Sequence, residues 1–289
     1  VIFSLGSFQL KYYGMMYVIA AICTYLLANW RIRRERQFQG YTRDDIENIV
    51  FYGILGVMLG GRLGYVIFYN FSYYMSHPVE IFWPFRNGQF VGLSGMSYHG
   101  GLIGVLIAAT LYCHNHKKNF WHMAELFAPV FPLGYTFGRL GNFINGELYG
   151  RPTDASIGMY FPDSPGVLRH PSQLYEATFE GLVLFLIMWL LRKRATKPVG
   201  GMLAIYIFGY GFVRFFIEYF RQPDAHLGFI WLQFSMGQLL CMGMMTFAAA
   251  LYAWLWQRHN RLSAVELMKN VPQVEEQKAQ NWKKKKKKK

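Results

Sequence analysis

Charged residues are scarce in this sequence of 289 residues. Aspartate, glutamate, lysine and arginine together make up 16% of the chain, whereas hydrophobic residues make up 53%. Soluble domains contain about 25% charged residues on average, so this chain has too few to cover a water-exposed surface. Its apolar residues lie in long runs separated by polar segments. The distribution excludes an ordinary soluble domain and predicts an all-α protein that crosses a membrane several times.

Cysteine is also rare, and its three positions argue against a metal or redox centre. Cys23, Cys113 and Cys241 lie in or beside apolar runs, and no C-x-x-C pair occurs. His114 and His116 have the spacing of metal ligands, but they lie in a short polar turn without a carboxylate partner and are interpreted as solvated. The sequence therefore predicts no disulfide framework, no metal site and no cofactor.

Familiar catalytic signatures are missing too. The sequence contains no G-x-S-x-G, no H-E-x-x-H, no phosphate-binding Walker loop and no dinucleotide-binding glycine fingerprint. All aspartates fall in predicted loops, so the aspartate pair that an intramembrane protease needs is absent. These absences argue against covalent and metal catalysis. The polar residues that are present, described below, instead fit a clamp that orients two substrates and stabilises a phosphate leaving group.

The formal net charge of +14 does not indicate a nucleic-acid partner. Half of it comes from the terminal run Lys283–Lys289, which is interpreted as a cloning remnant or a disordered tail. Elsewhere, no basic face is interleaved with aromatic residues that could stack on bases. The first residue is Val1, not methionine, so we expect some N-terminal sequence to be missing.

Seven segments are predicted to cross the membrane. They are Tyr12–Trp30, Ile46–Tyr69, Tyr98–Tyr112, Phe120–Gly138, Gln173–Leu191, Gly201–Phe220 and Leu232–Trp256. Residues 70–97 are predicted to form an aromatic-rich arm at the membrane interface, and residues 141–172 a small insert. Residues 1–256 thus form one transmembrane domain, followed by a tail over residues 257–289.

The distribution of basic residues predicts the orientation. Arginine and lysine cluster at residues 31–43, 117–118, 192–197 and 258–261, which all fall on the same side of the seven spans. Because loops rich in lysine and arginine stay in the cytoplasm, this side is predicted to be cytoplasmic. The N-terminus, the arm and the insert would then face outward, and the C-terminus would face the cytoplasm.

Several polar residues fall in the outer halves of the spans, where they are costly unless they have a function or a partner. They are Tyr13, Arg62, His99, Arg139, Asn142, Asn145, Glu147, Tyr210, Arg214 and Glu218. The richest stretch is Gly138–Gly150, which follows an apolar run. Its glycines and polar side chains predict a backbone that leaves helical geometry and lines a polar cavity for an anion.

The arginines are the best candidates for binding that anion, because a guanidinium stays charged when buried and can bind two oxygens at once. Arg139 and Arg214 could clamp one phosphate from two helices. Arg62 could be a third ligand, or a packing arginine paired with a glutamate. Tyr210, Arg214 and Glu218 share one helix face, so Arg214 and Glu218 could also simply neutralise each other.

His99 is flanked by glycines and has two interpretations. It could be a hydrogen-bonded structural residue, which is common for a lone histidine. Alternatively, Gly100 and Gly101 could clear space beside the imidazole and let the backbone approach a ligand, so that His99 takes up a proton near neutral pH.

Six motifs resemble those of the bacterial prolipoprotein diacylglyceryl transferase family. They occur in the family's order over almost the whole chain, from Tyr13 to Gln238: Tyr13–Tyr17, Gly60–Arg62, His99–Leu102, Gly138–Gly150, Arg169–Glu176 and Phe220–Asp224. The lysine run does not belong to the pattern.

The resemblance implies an enzyme of the bacterial inner membrane whose active site faces the periplasmic leaflet. Such an enzyme transfers the diacylglyceryl group of phosphatidylglycerol to the lipobox cysteine of a prolipoprotein signal peptide. A thioether forms and glycerol phosphate is released. Both substrates would reach the site from the lipid bilayer.

The resemblance also implies roles for individual residues. Arg139 and Arg214 would bind the lipid phosphate, and His99 would be the general base toward the thiol or would orient it. The substrate-binding pocket would include Tyr13, Arg62, Gly100, Asn142, Asn145, Glu147, Gly150, Tyr210 and Glu218.

Two other functions compete with this interpretation if the resemblance is set aside. Seven helices with buried arginines would also suit a transporter or flippase for an anionic lipid or a small anion, although no internal repeat is visible. A purely structural scaffold would not explain why polar residues from four helices share one depth in the membrane.

Overall fold

The computed structural model describes most of the chain in full. Side chains are described for residues 14–83, 95–194, 197–222 and 234–263. For residues 3–5, 8–10, 12–13, 85–86, 89–90, 229–231 and 264–286, only the backbone is described.

Helices dominate the described residues. In chain order they are α1 (Tyr12–Arg34), α2 (Arg43–Tyr69), α3 (Phe71–Ser76), α4 (Tyr98–Asn115), α5 (Phe120–Phe127), α6 (Phe131–Asn145), α7 (Ser172–Leu191), α8 (Gly201–Ile217) and α9 (Met236–Lys286). The segment Glu176–Val183 within α7 is a π-helix. Single 3₁₀ turns occur at Arg36–Phe38 and Pro78–Ile81.

Short antiparallel hairpins join some of these helices. The strands are β1 (Phe3–Leu5), β2 (Phe8–Leu10), β3 (Phe85–Arg86), β4 (Gln89–Phe90), β5 (Met159–Phe161), β6 (Ser164–Arg169), β7 (Phe229–Trp231) and β8 (Phe234–Ser235). They pair two by two, in sequence order. The β5–β6 hairpin forms the body of the predicted insert.

Four helical segments in the described part of the chain are long and apolar enough to cross a bilayer. They are Gly14–Arg34, Arg43–Tyr69, Ser172–Leu191 and Met236–Ser263, and Gly201–Ile217 is apolar but shorter. Large hydrophobic side chains on their outer faces are exposed, such as Leu26, Phe51 and Phe247. The prediction of a mostly helical membrane protein is confirmed. The seven spans and their orientation stay predictions.

The predicted fourth span is not one continuous helix. α5 ends at Phe127, and α6 begins at Phe131 after a turn. Pro129 lies in that turn and Pro132 in the first turn of α6. Proline has no N–H to continue a helix but fits well in a first turn, so the two prolines explain the break. The prediction of an unbroken helix over Phe120–Gly138 is therefore wrong.

α2 and α4 pack with their backbones almost in contact. A Cβ atom on Gly104 would lie 2.0 Å from the carbonyl oxygen of Gly56, and one on Gly60 would lie 2.4 Å from that of Gly100. The Ser97 amide also donates a hydrogen bond to the carbonyl of Gly61 (2.8 Å). Small residues allow such close approach between membrane helices. The contact fixes the first turn of α4, which carries His99, against α2.

A buried ion network ties α1, α5 and α7 together at the end of the bundle that is predicted to be cytoplasmic. Arg31 is fully buried and pairs with Glu35 (2.8 Å), and it donates to the carbonyl of Glu125 (2.9 Å). Glu35 in turn pairs with Arg192 (3.0 Å), just beyond α7. The Glu125 carboxylate accepts hydrogen bonds from the amides of Gly200 and Met202 at the start of α8. Removing one partner of such a buried pair would cost about 3–5 kcal/mol.

We expect Gly104→Ala to destabilise the protein, because the new methyl group would force α2 and α4 apart. Overpacking of this kind costs about 1–3 kcal/mol. Gly53→Ala is the matched control, since Gly53 lies on α2 with no atom near its Cβ position. Thermal unfolding in detergent should show a lower melting temperature for Gly104→Ala and an unchanged or higher one for Gly53→Ala. Equal melting temperatures would contradict the glycine contact.

Candidate active site

The stretch Gly138–Gly150 remains helical further than its sequence indicates. α6 continues to Asn145, and Gly146 ends it with a left-handed backbone (φ 72°). Glycine adopts this conformation at little cost and commonly ends helices. The predicted departure from helical geometry therefore occurs only at Gly146. As a result, Arg139 and Asn142 lie on the last two turns of a rigid helix and not in a loop.

Arg139 points into the bundle and is mostly buried. Its Nε lies 2.8 Å from Glu176 Oε2, and its side chain is 18% exposed. The guanidinium also packs over the ring of Tyr135, with 4.8 Å from Cζ to the ring centre. Its Nη1 donates to Asn142 Oδ1 (3.3 Å).

Arg214 approaches the same carboxylate from α8. Its Nη1 lies 3.4 Å from Glu176 Oε2, and its Nη2 lies 3.0 Å from Glu218 Oε2. The predicted meeting of Arg139 and Arg214 is thus observed, since both guanidinium groups contact one carboxylate oxygen. The predicted pairing of Arg214 with Glu218 is observed as well.

Three charged residues at the centre of the site are absent from the set predicted from sequence. Glu176 and Glu180 lie one turn apart on the π-helical part of α7 and are fully buried. Arg221 follows α8, and its Nη1 lies 2.6 Å from Glu176 Oε1. The sequence did contain a signal for the two glutamates, because carboxylates within an apolar membrane span are costly and usually indicate a functional site. Arg221 entered the sequence analysis only as part of the motif Phe220–Asp224, without a role in the site.

These groups form a compact ion cluster, whose members are Arg139, Arg214, Arg221, Glu176, Glu180 and Glu218. Three arginines thus face three glutamates. Glu176 is the hub, because it alone contacts all three arginines. Buried charges of this kind are tolerated only when they are paired.

A chain of polar contacts extends the cluster along α6. Asn142 donates to Glu147 Oε1 (2.9 Å), and Asn145 donates to the same oxygen (3.3 Å). Since Arg139 donates to Asn142, the predicted residues Asn142, Asn145 and Glu147 form one continuous network with it. Tyr210 completes the wall on α8, with its ring 5.5 Å from that of Tyr135.

Gly150 packs the insert against the end of α8. It forms an antiparallel bridge with Arg221, and a Cβ atom at Gly150 would lie 2.3 Å from the carbonyl oxygen of Phe220. Its amide donates to the carbonyl of His170 (2.8 Å). Gly150 thus packs closely against the backbone at the end of α8, which positions Arg221 toward Glu176. Its role beside the lipid headgroup stays a prediction.

Arg62 has a different position from the other arginines. Its guanidinium donates to the carbonyls of Ile81 (2.5 Å) and Glu80 (2.8 Å) and packs over the ring of Tyr74. These contacts hold the described part of the arm around Tyr74, Glu80 and Ile81 against α2. They do not place Arg62 beside Arg139 as a third clamping arginine, and its role in substrate binding stays a prediction.

His99 and Gly100 lie in the first turn of α4. The His99 side chain is exposed and contacts the ring of Tyr98 edge-on at 5.7 Å. Among the described residues its ring forms no hydrogen bond, and both interpretations of His99 stay predictions. A Cβ atom on Gly100 would lie 2.3 Å from the carbonyl oxygen of Gly60. Gly100 therefore serves helix packing and does not simply clear space beside the imidazole. The side chain of Tyr13 is outside the described residues.

Metal binding has no support at this site. The residues that the structure describes contain no group of three or more histidine, cysteine, aspartate or glutamate side chains that could hold an ion. The carboxylates of the cluster face arginines, which compete with a cation. The arrangement is suited to binding an anion.

Comparison with known proteins connects this geometry to a family. Residues 1–254 match the family model described as prolipoprotein diacylglyceryl transferase. Three similar proteins all have the name phosphatidylglycerol–prolipoprotein diacylglyceryl transferase. The protein of Chlorobaculum tepidum is 51% identical over 89% of this chain and 90% of its own length. That of Geobacter sulfurreducens is 47% identical over 83% and 88%, and that of Pseudoalteromonas translucida is 43% identical over 92% and 96%.

The family model covers residues 1–254 and so spans every residue of the ion cluster. A family model that spans this much of the sequence, together with relatives of this similarity, leaves one conclusion. The chain belongs to the prolipoprotein diacylglyceryl transferase family.

Proposed function

We propose that this protein transfers the diacylglyceryl group of phosphatidylglycerol to the lipobox cysteine of a prolipoprotein, the first step of bacterial lipoprotein maturation. One observation carries the proposal beyond the family match. Two guanidinium groups from different helices, those of Arg139 and Arg214, converge on a single oxygen of Glu176.

The shared carboxylate oxygen marks an anion position. A phosphate oxygen of the lipid headgroup has the same charge and hydrogen-bonding needs as a carboxylate oxygen. Planar guanidinium groups bind either through charge-assisted hydrogen bonds. In the proposed complex, the phosphate binds between Arg139 and Arg214 and takes over contacts that Glu176 makes in the free protein.

The chemistry then needs no nucleophile from the protein. The thiol sulfur of the acceptor attacks the glycerol carbon that bears the phosphate ester, and the carbon–oxygen bond breaks. The phosphate oxygen keeps the bonding electron pair and leaves as glycerol phosphate, while the thiol loses its proton. Arg139 and Arg214 stabilise the negative charge that grows on this oxygen. The thiol has an ordinary pKa of about 8.5 and needs only modest assistance from a base.

The remaining predicted residues have supporting roles in this proposal. His99 takes the thiol proton or orients the thiol, and its exposure leaves the ring accessible. Asn142, Asn145 and Glu147 shape the headgroup pocket, together with Tyr13, Tyr210, Glu218 and Gly150. Arg62 and Gly100 act on substrate binding indirectly, by fixing the arm and the first turn of α4.

The proposed topology has seven spans, with the site near the periplasmic leaflet of the inner membrane. The arrangement of α7 supports it. Glu176 lies near the start of this helix and the buried Arg192 just beyond its end. Their separation in sequence corresponds to about 24 Å along a helix, close to the bilayer core of about 30 Å. In this topology, the ion cluster and the buried ion network of Arg31, Glu35 and Arg192 lie toward opposite membrane faces. The positive-inside rule assigns the end of the bundle with the buried ion network to the cytoplasm.

A direct assay decides between this activity and transport of an anionic lipid. Purified protein is incubated with phosphatidylglycerol and a lipobox peptide, and the peptide mass is measured. A gain of one diacylglyceryl group supports the transferase. An unchanged peptide, with movement of labelled lipid between leaflets of vesicles that contain the protein, would instead establish a flippase.

Arg139→Lys should lower the transfer rate by about 10²–10³-fold, the usual effect of removing one donor to the developing charge. Lysine keeps the charge but lacks the planar fork that reaches both Glu176 and the substrate. Arg43→Lys is the control, because Arg43 is exposed and its contacts with Glu47 on α2 and Tyr25 on α1 lie at the surface, away from the ion cluster. Initial rates of peptide modification measure both variants. A wild-type rate for Arg139→Lys would contradict the two-arginine clamp.

His99→Asn tests the proton acceptor through pH. If His99 takes the thiol proton, we expect a rate loss of about 10²–10⁴-fold near neutral pH. The loss should shrink above pH about 8.5, where the thiol ionises unaided. His114→Asn serves as control, since His114 is exposed at the far end of the same helix. A loss for His99→Asn that stays constant across pH would indicate an orienting role instead.

Gly150→Ala should abolish most of the activity by displacing Arg221. The added methyl group would collide with the backbone at Phe220 and His170 and push the insert away from the end of α8. Gly138→Ala is the matched control in the same stretch, with no atom within 4 Å of its Cβ position. Transfer rates and melting temperatures are compared. Equal activity of the two variants would show that Gly150 is not needed for close packing.

A further inference from the structure

Glu180 is a buried acid without a role in the mechanism above. Its side chain is fully buried on the π-helical part of α7, four residues after Glu176. Oε2 is hydrogen-bonded to the hydroxyl of Tyr135. Oε1 has no hydrogen-bond partner among the described residues, and its nearest cation is Arg214 Nη1 at 3.7 Å.

The hydroxyl of Tyr135 contacts two carboxylates at once. It lies 3.2 Å from Glu176 Oε2 and within hydrogen-bonding distance of Glu180 Oε2. A tyrosine hydroxyl has a single proton to donate. If both glutamates were ionised, one negatively charged oxygen would face the hydroxyl oxygen without a proton between them. A proton on one glutamate removes this conflict, because that acid then donates to Tyr135 and Tyr135 donates to the other.

The surroundings indicate which glutamate holds the proton. Glu176 contacts three arginines, with distances of 2.8 Å to Arg139, 2.6 Å to Arg221 and 3.4 Å to Arg214. Such contacts favour the ionised form. Glu180 has only the longer contact to Arg214, and its burial disfavours a charge.

The groups that face Glu180 from neighbouring elements do not change this assignment. They are Tyr135 and Arg139 on α6, Tyr206, Tyr210 and Arg214 on α8, Cys241 on α9, and Glu176 on its own helix. Both cations in this set also contact Glu176, at the shorter distances. The tyrosines and the cysteine are neutral near pH 7.

We propose that Glu180 is a positioning residue that holds a proton, and that its neutral carboxyl leaves the ion cluster with one surplus positive charge that selects a singly charged phosphodiester headgroup. With Glu180 protonated, the three arginines of the ion cluster contact two ionised glutamates, Glu176 and Glu218. Glu147 adjoins the cluster through Asn142 and is not counted as a member. One phosphodiester anion then makes the occupied site neutral. A doubly charged phosphate would leave the occupied site with a net negative charge. A zwitterionic headgroup would bring its own positive charge into a site that already has a surplus of one. The inference rests on the proposed function, since it assumes that the lipid phosphate binds in this cluster.

The first test compares two amide substitutions on the same helix. Glu180→Gln replaces a neutral acid by a neutral amide of the same shape, so we expect it to keep much more of the transfer rate than a variant that removes an ionised glutamate. Glu176→Gln is the matched control, because it removes the ionised hub that holds three arginines, and it should lose most activity. A loss for Glu180→Gln as large as that for Glu176→Gln, in protein that remains folded by its melting temperature, would overturn the proposal.

The second test detects the proton itself. The infrared spectrum of the wild-type protein near neutral pH should contain the carbonyl stretch of a protonated carboxyl group, and a wild-type spectrum without this band would overturn the proposal whether or not the variant folds. The difference spectrum between wild type and folded Glu180→Gln should also contain the band, since the subtraction removes the contribution of other buried acids such as Glu125. A difference spectrum without the band would overturn the proposal.

The third test measures charge selection with short-chain lipids in detergent. Short-chain phosphatidylglycerol has no proton to lose between pH 6 and about 9, so any pH dependence of its binding comes from the protein. The affinity of the wild-type protein for this lipid should fall about tenfold per pH unit at pH values where Glu180 is ionised. The reason is that binding then requires the uptake of one proton by Glu180. In Glu180→Gln this dependence should disappear. In Glu180→Gln, which stays neutral at every pH, short-chain phosphatidylcholine and short-chain phosphatidic acid should bind more weakly than short-chain phosphatidylglycerol at about pH 9. The three lipids have the same acyl chains, so equal binding of either would overturn the selection.

Failure of this inference can be told apart from failure of the proposed function. The peptide-modification assay is run on the same wild-type preparation. If the mass of the peptide does not increase by one diacylglyceryl group, the proposed transferase function is wrong, whatever the infrared spectrum shows. If the peptide is modified but Glu180 lacks the expected proton, only the charge-selection role of Glu180 is wrong.

Discussion

One carboxylate holds this site together. Glu176 contacts Arg139 on α6, Arg214 on α8 and Arg221 after α8, and so joins three parts of the chain through a single side chain. In a low-dielectric interior, three arginines this close would repel one another strongly without a counter-charge. The hub therefore keeps the arginines in place for an incoming anion. It also gives the phosphate a defined position, because the anion can replace the contacts that the carboxylate makes.

The rest of the bundle keeps the residues of this cluster in position. The glycine contact between α2 and α4 fixes the turn that carries His99, and the backbone bridge at Gly150 brings Arg221 back to α7. At the other end, Arg31, Glu35 and Arg192 join α1 to α7. Both ends of α7 are thus held by buried ion pairs, which are intolerant of small shifts because an unpaired buried charge is costly.

Sequence reasoning succeeded where the signal is local. Arg139, Asn142 and Glu147 lie within one short stretch, and Tyr210, Arg214 and Glu218 share one helix face, so their proximity follows from helical periodicity. It failed where a residue's role depends on distant partners. The close packing of Gly100 against α2 was not predicted, and the helix that breaks at Pro129 was predicted to be continuous. The roles of Gly100 and Arg62 in substrate binding stay predictions. Glu176 and Glu180 were missed although two acids in an apolar span are a strong signal.

The sequence by itself determined the class of the protein, its helical spans of apolar residues and its family, because hydrophobic composition and short motifs are readable without knowing which helices are neighbours. Only the tertiary structure decided that Glu176 is the centre of the site. Its three arginines come from positions 139, 214 and 221, and no periodicity relates these to a residue on α7. The same holds for the hydroxyl of Tyr135 between Glu176 and Glu180. Which charges meet depends on how α6, α7 and α8 pack, and packing is a property of the folded bundle.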